Sequence, residues 1–135
     1  MTVTRLNPPG MHASPGLISQ VVTVTDQTLI HLSGQVAWDE NGAPVASGDH
    51  TGQAAQIARN IDIALAAAGA TRADLVKETI YVVGYTPDLL LPILDALRDG
   101  HQPPPASTVI GVDALFAPAF LIEVDVVAAV TRPAP

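Results

Sequence analysis

The chain has 135 residues, with 13 acidic and six basic side chains, a net charge of −7 and no cysteine. That length is one domain, residues 1–135, and the missing cysteine excludes disulfides, thiol nucleophiles and thiolate metal sites. The basic residues (Arg5, Arg59, Arg72, Lys77, Arg98 and Arg132) are scattered, whereas a phosphate backbone calls for a cluster or stripe, so nucleic acid is not an expected partner.

No apolar run approaches the roughly 20 residues of a membrane span, and no apolar segment follows a basic start within Met1–Gly16. The expectation is a soluble cytoplasmic protein with no membrane partner. Only 14% of residues are charged and 48% are hydrophobic. So much apolar content in one small domain predicts a second buried surface, most simply a subunit interface.

Gln20–Thr25 (QVVTVT) and Thr28–Ser33 (TLIHLS) are β-rich runs separated by Asp26-Gln27, and they read as a hairpin. Gln35–Trp38 continues as a third short strand, and Asn41-Gly42 marks a tight turn. Ala54, Ile57, Ala58, Ile61, Leu65 and Ala68 then recur at three- and four-residue spacing. They predict one apolar helix stripe, capped by Asp49 or Thr51 and closed by Gly69, with Gln53, Gln56, Arg59, Asn60 and Asp62 on other faces.

Leu75–Val83 (LVKETIYVV) is a strand by its β-branched and aromatic content. Thr86-Pro87-Asp88 opens a second helix with a cap, a proline and an acid in the first turn. That helix is expected to end at Gly100, with Pro92 kinking it or delaying its start. Pro103-Pro104-Pro105 imposes an extended approach to a strand at Ser107–Val112, and Leu121–Val130 (LIEVDVVAAV) is the last strand. Residues 7–10 and 132–135 read as loose ends. The order β-β-β-α-β-α-β-β has too few helices to cover both faces of a sheet. The expected class is therefore α+β, a mixed sheet with both helices on one face and the other face open to a partner.

Candidate chemistry is sparse. The histidines are His12, His31, His50 and His101, in no metal-ligand spacing. His31 reads as a packed or hydrogen-bonded strand residue, and no metal or cofactor is expected. There is no phosphate-binding glycine motif and no nucleophile elbow around Ser14 or Ser19. Glu123 and Asp125 share one strand face, either as a solvated pair or as a carboxylate that orients a water. Ser33-Gly34-Gln35 reads either as a bulge glycine or as a close backbone approach to a ligand. Trp38 reads first as a packing residue.

Several segments together resemble the Rid (reactive intermediate deaminase, YjgF-type) family. They are Ile18-Ser19-Gln20-Val21, Ile30 to Val36 through Ser33-Gly34-Gln35, Ala66-Ala67-Ala68-Gly69, Val76 to Val83, and Pro105-Ala106 through Leu121-Ile122-Glu123-Val124. The resemblance spans nearly the whole chain. It implies a chorismate-mutase-like fold and a homotrimer with intersubunit clefts, each taking a small-molecule ligand or substrate. It further implies hydrolysis of an imine or enamine to a carbonyl compound and ammonia, with Glu123 positioning the water and Ser33 beside it as catalytic residues. Ile18, Gly34, Trp38, Tyr85, Ser107 and Val109 would line the cleft.

The chain departs from the family pattern in three places. Pro105-Ala106-Ser107 carries serine where active members have an arginine that clamps a substrate carboxylate. Ile18 stands where a tyrosine is usual, and a site asparagine falls near Ile93. These departures imply a substrate unlike 2-aminoacrylate, or alternatively a ligand-binding trimer without turnover. Older labels for the family include ribonuclease, which the scattered basic residues oppose.

Overall fold

A computed structural model describes residues 2–98 and 103–131. The main sheet runs β3-β7-β5-β6, with β4 (Gln35–Val36) also paired to β7 (Ile122–Val130). β5 (Leu75–Val83) and β6 (Ala106–Val112) are parallel, while β3 (Thr28–His31), β4 and β5 are antiparallel to β7. The parallel pair requires a crossover, which the second helix supplies.

The predicted hairpin is not formed. β2 (Val21–Thr25) pairs instead with β1 (Thr2–Leu6), and β3 pairs with β7. Asp26-Gln27 is a corner between two sheets, and Asp26 has φ +53°, a left-handed conformation that aspartate tolerates. β1 lies before the first predicted strand, in a stretch for which no element was expected.

Helix α1 (His50–Ala67) buries Ala54, Ile57, Ala58, Ile61 and Leu65 of the predicted stripe, whereas Ala68 is the exposed C-cap residue beyond its last turn. Of the two candidate caps Asp49 is used, its carboxylate accepting from Gly52 N at 3.0 Å. Gly69, at φ +77°, follows the end. Helix α2 (Leu90–Leu97) is preceded by a 3-10 turn, Pro87–Leu89. Pro92 therefore falls in the first turn of α2, where its missing N–H has no intrahelical partner to lose. The expected end at Gly100 and the tail Arg132–Pro135 lie outside the described residues.

Alternation along the strands separates two faces. Glu78, Ile80 and Val82 of β5 register with Val126, Val124 and Ile122 of β7, and all six are buried under the helices. Ile93, Leu94 and Leu97 of α2 join the same core, so both helices cover one face. Thr79 and Tyr81 of β5 register with Asp125 and Glu123 on the opposite face. That face also carries Leu29, 50% exposed, and Ile110, 40% exposed. His31 belongs to it as well and is exposed, not packed.

Candidate functional site

Glu123 is placed by an irregularity in its neighbouring strand. Four residue steps lead from His31 to Gln35, against three from Val127 to Val124 on the partner strand. The extra residue is a bulge within Leu32–Gly34, and it brings the backbone of Gly34 against the Glu123 carboxylate. A Cβ at position 34 would run into Glu123 Oε2 and lie 2.8 Å from Cδ. Gly34 is thus the bulge glycine, and the close approach its backbone makes is to the Glu123 side chain. Ser33 is exposed beside it, and its carbonyl accepts from Gln35 Nε2 at 2.9 Å. Ser33, Gly34 and Glu123 form one corner, open to solvent on the sheet face that the helices do not cover.

Trp38 follows on the same segment. It packs edge-on against Phe116 and Phe120, with ring centroids 5.7 Å away in each case. Its packing role is real, yet the ring is 38% exposed. Trp38 and Gln35 line a cavity of about 270 Å³ together with Asn60 and Ile63. Asn60 holds this segment from α1 by donating to Val36 O at 3.2 Å and Trp38 O at 3.0 Å.

Ser107 stands apart. Its hydroxyl donates to Glu78 Oε1 at 2.7 Å, which places it on the helix side of edge strand β6. Ile18 is nearby, because Ser19 N and Oγ donate to Pro105 O at 3.0 Å and Pro104 O at 2.6 Å. Val109 is half-buried against the core on the same side. Tyr85 is at the other end of β6, where a Cβ on Gly111 would meet its Cβ at 3.3 Å. Within one chain, then, Glu123 and Ser107 lie on opposite faces, two strand spacings apart across the sheet and three residues apart along it, about 14 Å between backbones.

Residues that were not singled out hold these pieces together. Glu78 is 2% exposed, and both its oxygens accept from Arg98, from Nη1 at 2.8 Å and Nη2 at 2.6 Å. Arg98 Nη2 also donates to Leu17 O at 3.0 Å. Glu78 shares strand parity with Val76, Ile80 and Val82, so a charge on the core face was readable in the sequence. Gln53, expected away from the core, is fully buried. Its Nε2 donates to Ala119 O at 3.1 Å and its Oε1 accepts from Leu121 N at 2.8 Å, fixing the approach to β7. A side-chain amide on the apolar stripe of α1 gave no such signal.

A cavity of about 420 Å³ lined by Arg5, Asp74 and Thr131 does not include Glu123. Burial lowers the Arg5 guanidinium from its ordinary value, and Asp74 opposes that shift. Among the described residues no group of three or more histidine, aspartate or glutamate side chains could hold a metal ion. No described helix is long and apolar enough to cross a membrane.

The strand order and the placement of both helices on one face define an α+β domain built on a mixed sheet. A family model described as endoribonuclease L-PSP matches residues 12–130, and the chain belongs to this family, also called YjgF/Rid. It is similar to YyfB from Yersinia pestis, a Rid family protein described as of unknown function, at 35% identity and TM-score 0.90, over 96% of this chain and 100% of that one. YyfA from the same organism is 26% identical with TM-score 0.67, over 96% and 100% of the two chains. Rv2704 from Mycobacterium tuberculosis, of the YjgF/YER057c/UK114 family, shares the fold at 24% identity and TM-score 0.62, over 96% and 100%. These neighbours have the chorismate-mutase-like fold. No curated protein matches the sequence.

Proposed function

We propose that the protein hydrolyses a reactive imine or enamine to a carbonyl compound and ammonia, at a cleft completed by a second subunit of a homotrimer. The observation that carries this reading is the Glu123 carboxylate seated against Gly34, where no side chain can intervene. A carboxylate in that position can accept a proton from a water aimed at an electrophilic carbon. The water oxygen adds to the C=N carbon, the nitrogen takes up a proton, and the resulting carbinolamine expels ammonia as the carbonyl forms. An iminium carbon is already electrophilic, so orientation and one proton relay are what the protein must supply.

Two features support the shared cleft. Glu123 and Ser107 cannot meet within one chain, and the sheet face bearing Glu123 exposes Leu29 and Ile110. A neighbouring copy laid on that face would bring its own β6 edge, with Ile18 and Ser107, toward Ser33 and Glu123. Trp38 and Tyr85 would then close the sides of the cleft. A ribonucleolytic role is not favoured, since the chain carries a net charge of −7 and no basic cluster.

A second reading, a ligand-binding trimer without turnover, is favoured by one observation: the Ser107 hydroxyl is already committed to Glu78. The test generates imines from a panel of amino acids with an amino-acid oxidase and follows semicarbazone formation. Hydrolysis by the wild type, reduced about 100-fold or more in Glu123→Gln, is the expected result for a proton-transfer residue. Equal rates in the two proteins would remove Glu123 from the mechanism, and an inert wild type would leave the binding reading.

A further inference from the structure

The cavity of about 420 Å³ lies toward the end of β7, away from Glu123. Val130 in its wall is seven residues along the strand from Glu123, about 23 Å between backbones. Arg5 on β1 and Asp74 in the turn before β5 both line it. Each is anchored by its own set of bonds. Arg5 Nη2 donates to Ala73 O at 3.4 Å and Leu75 O at 3.2 Å, while Asp74 Oδ2 accepts from Thr71 N at 2.8 Å.

These anchors hold two opposite charges near each other and unpaired. Burial lowers the Arg5 guanidinium and Asp74 opposes that shift, so the charges feel each other, yet they form no ion pair. Among the described residues nothing accepts from Arg5 Nη1 or from its buried Nε, and nothing donates to Asp74 Oδ1. Polar groups so placed ordinarily have partners.

A ligand with one charge gains at one residue and loses at the other. A lone carboxylate on Arg5 is repelled by Asp74, and a lone ammonium on Asp74 is repelled by Arg5. An uncharged ligand leaves both charges unmatched. A ligand with both charges side by side satisfies both residues, and a free α-amino acid bears them on one carbon. Gln27 Nε2 donates to Thr131 Oγ1 at 2.8 Å, which leaves Gln27 Oε1 as a further acceptor in the cavity wall.

We propose that this cavity is a second ligand site, separate from the Glu123 cleft, which takes a free α-amino acid with its carboxylate on Arg5 and its ammonium on Asp74. The volume suits a small molecule.

The probes are glycine, L-glutamine and L-phenylalanine, each beside the acid that lacks its amino group: acetate, 4-carbamoylbutyrate and 3-phenylpropionate. Each is titrated against the full-length protein by calorimetry. At least one amino acid is expected to bind with a Kd of about 1 mM or tighter, and about tenfold or more ahead of its acid, the scale of one charge-assisted hydrogen bond. Arg5→Gln and Asp74→Asn should each weaken that binding by about tenfold or more. Asparagine keeps an acceptor for Thr71 N, so Asp74→Asn carries the test if Arg5→Gln does not fold. Glu123→Gln should bind as the wild type does.

Binding of none of the three amino acids, equal binding of amino acid and acid, or an unchanged Kd in Asp74→Asn overturns the proposal. Binding lost in Glu123→Gln and kept in Asp74→Asn would place the amino acid in the Glu123 cleft and overturn it as well. Imine turnover is not among the readouts, so this site stands or falls apart from the deaminase reading.

Discussion

Gly34 and Glu123 compete for one small volume. The glycine backbone and the carboxylate are so close that any Cβ at position 34 displaces the acid. The conflict is steric, since Gly34 is not among the residues with positive φ. Gly34→Ala is therefore expected to fold, at a cost of about 1–3 kcal/mol from overpacking. Glu123 is partly exposed, so its flexible end can yield to the new methyl group, and activity should fall by more than stability. The check is imine hydrolysis alongside thermal melting. A variant with wild-type activity and an unchanged Tm would show that the approach has no functional consequence.

The buried pair Glu78–Arg98 predicts a different balance. Removing one partner leaves an uncompensated buried charge, which typically costs about 3–5 kcal/mol. Glu78→Ala and Arg98→Ala should each lower urea-unfolding stability on that scale. The double variant should lose less than the sum of the two, because neither charge is then stranded. Additive losses would mean that the two residues act independently, contrary to the bidentate geometry.

How far the sequence reveals this arrangement depends on the range of each interaction. α1, β5 and β7 are local patterns. Their apolar periodicity, the Asp49 cap and the Gly69 stop place them within a residue or so of their bounds. The hairpin reading of Gln20–Thr25 and Thr28–Ser33 goes astray because strand propensity does not name a partner. A two-residue connection fits a corner between sheets as well as a turn, and only the β1–β2 and β3–β7 registers decide. Ser33, Gly34 and Glu123 were legible as candidates, yet their contact depends on a bulge set by the β7 register. Arg98 was the least legible. Nothing in its local sequence points to Glu78, because the pair forms only when α2 packs over β5.

Asn60 links α1 to the segment bearing Trp38 through bonds to Val36 O and Trp38 O. Asn60→Ala leaves both carbonyls without those donors and should destabilise by about 1–3 kcal/mol. Trp38 is the only tryptophan, so its emission reports on this segment alone. A red shift with increased quenching by iodide is the expected signature. An unchanged spectrum would assign the positioning of Trp38 to Phe116 and Phe120.

The open sheet face gives the prediction that separates assembly from fold. Leu29 is 50% exposed on β3, on the same face as Glu123, and an aspartate there removes no buried contact within the chain. In a monomer the substitution should change stability by no more than about 0.5 kcal/mol. In a trimer that buries this face it introduces a desolvated charge, copied once per subunit. Sedimentation velocity is expected to show a trimer for the wild type and a species near the 13.9 kDa chain mass for Leu29→Asp. Imine hydrolysis should be lost with the trimer, because the proposed cleft joins Glu123 of one copy to Ser107 of another. A Leu29→Asp monomer that kept full activity would place the whole site within a single subunit. A wild type that sediments as a monomer would remove the shared cleft altogether.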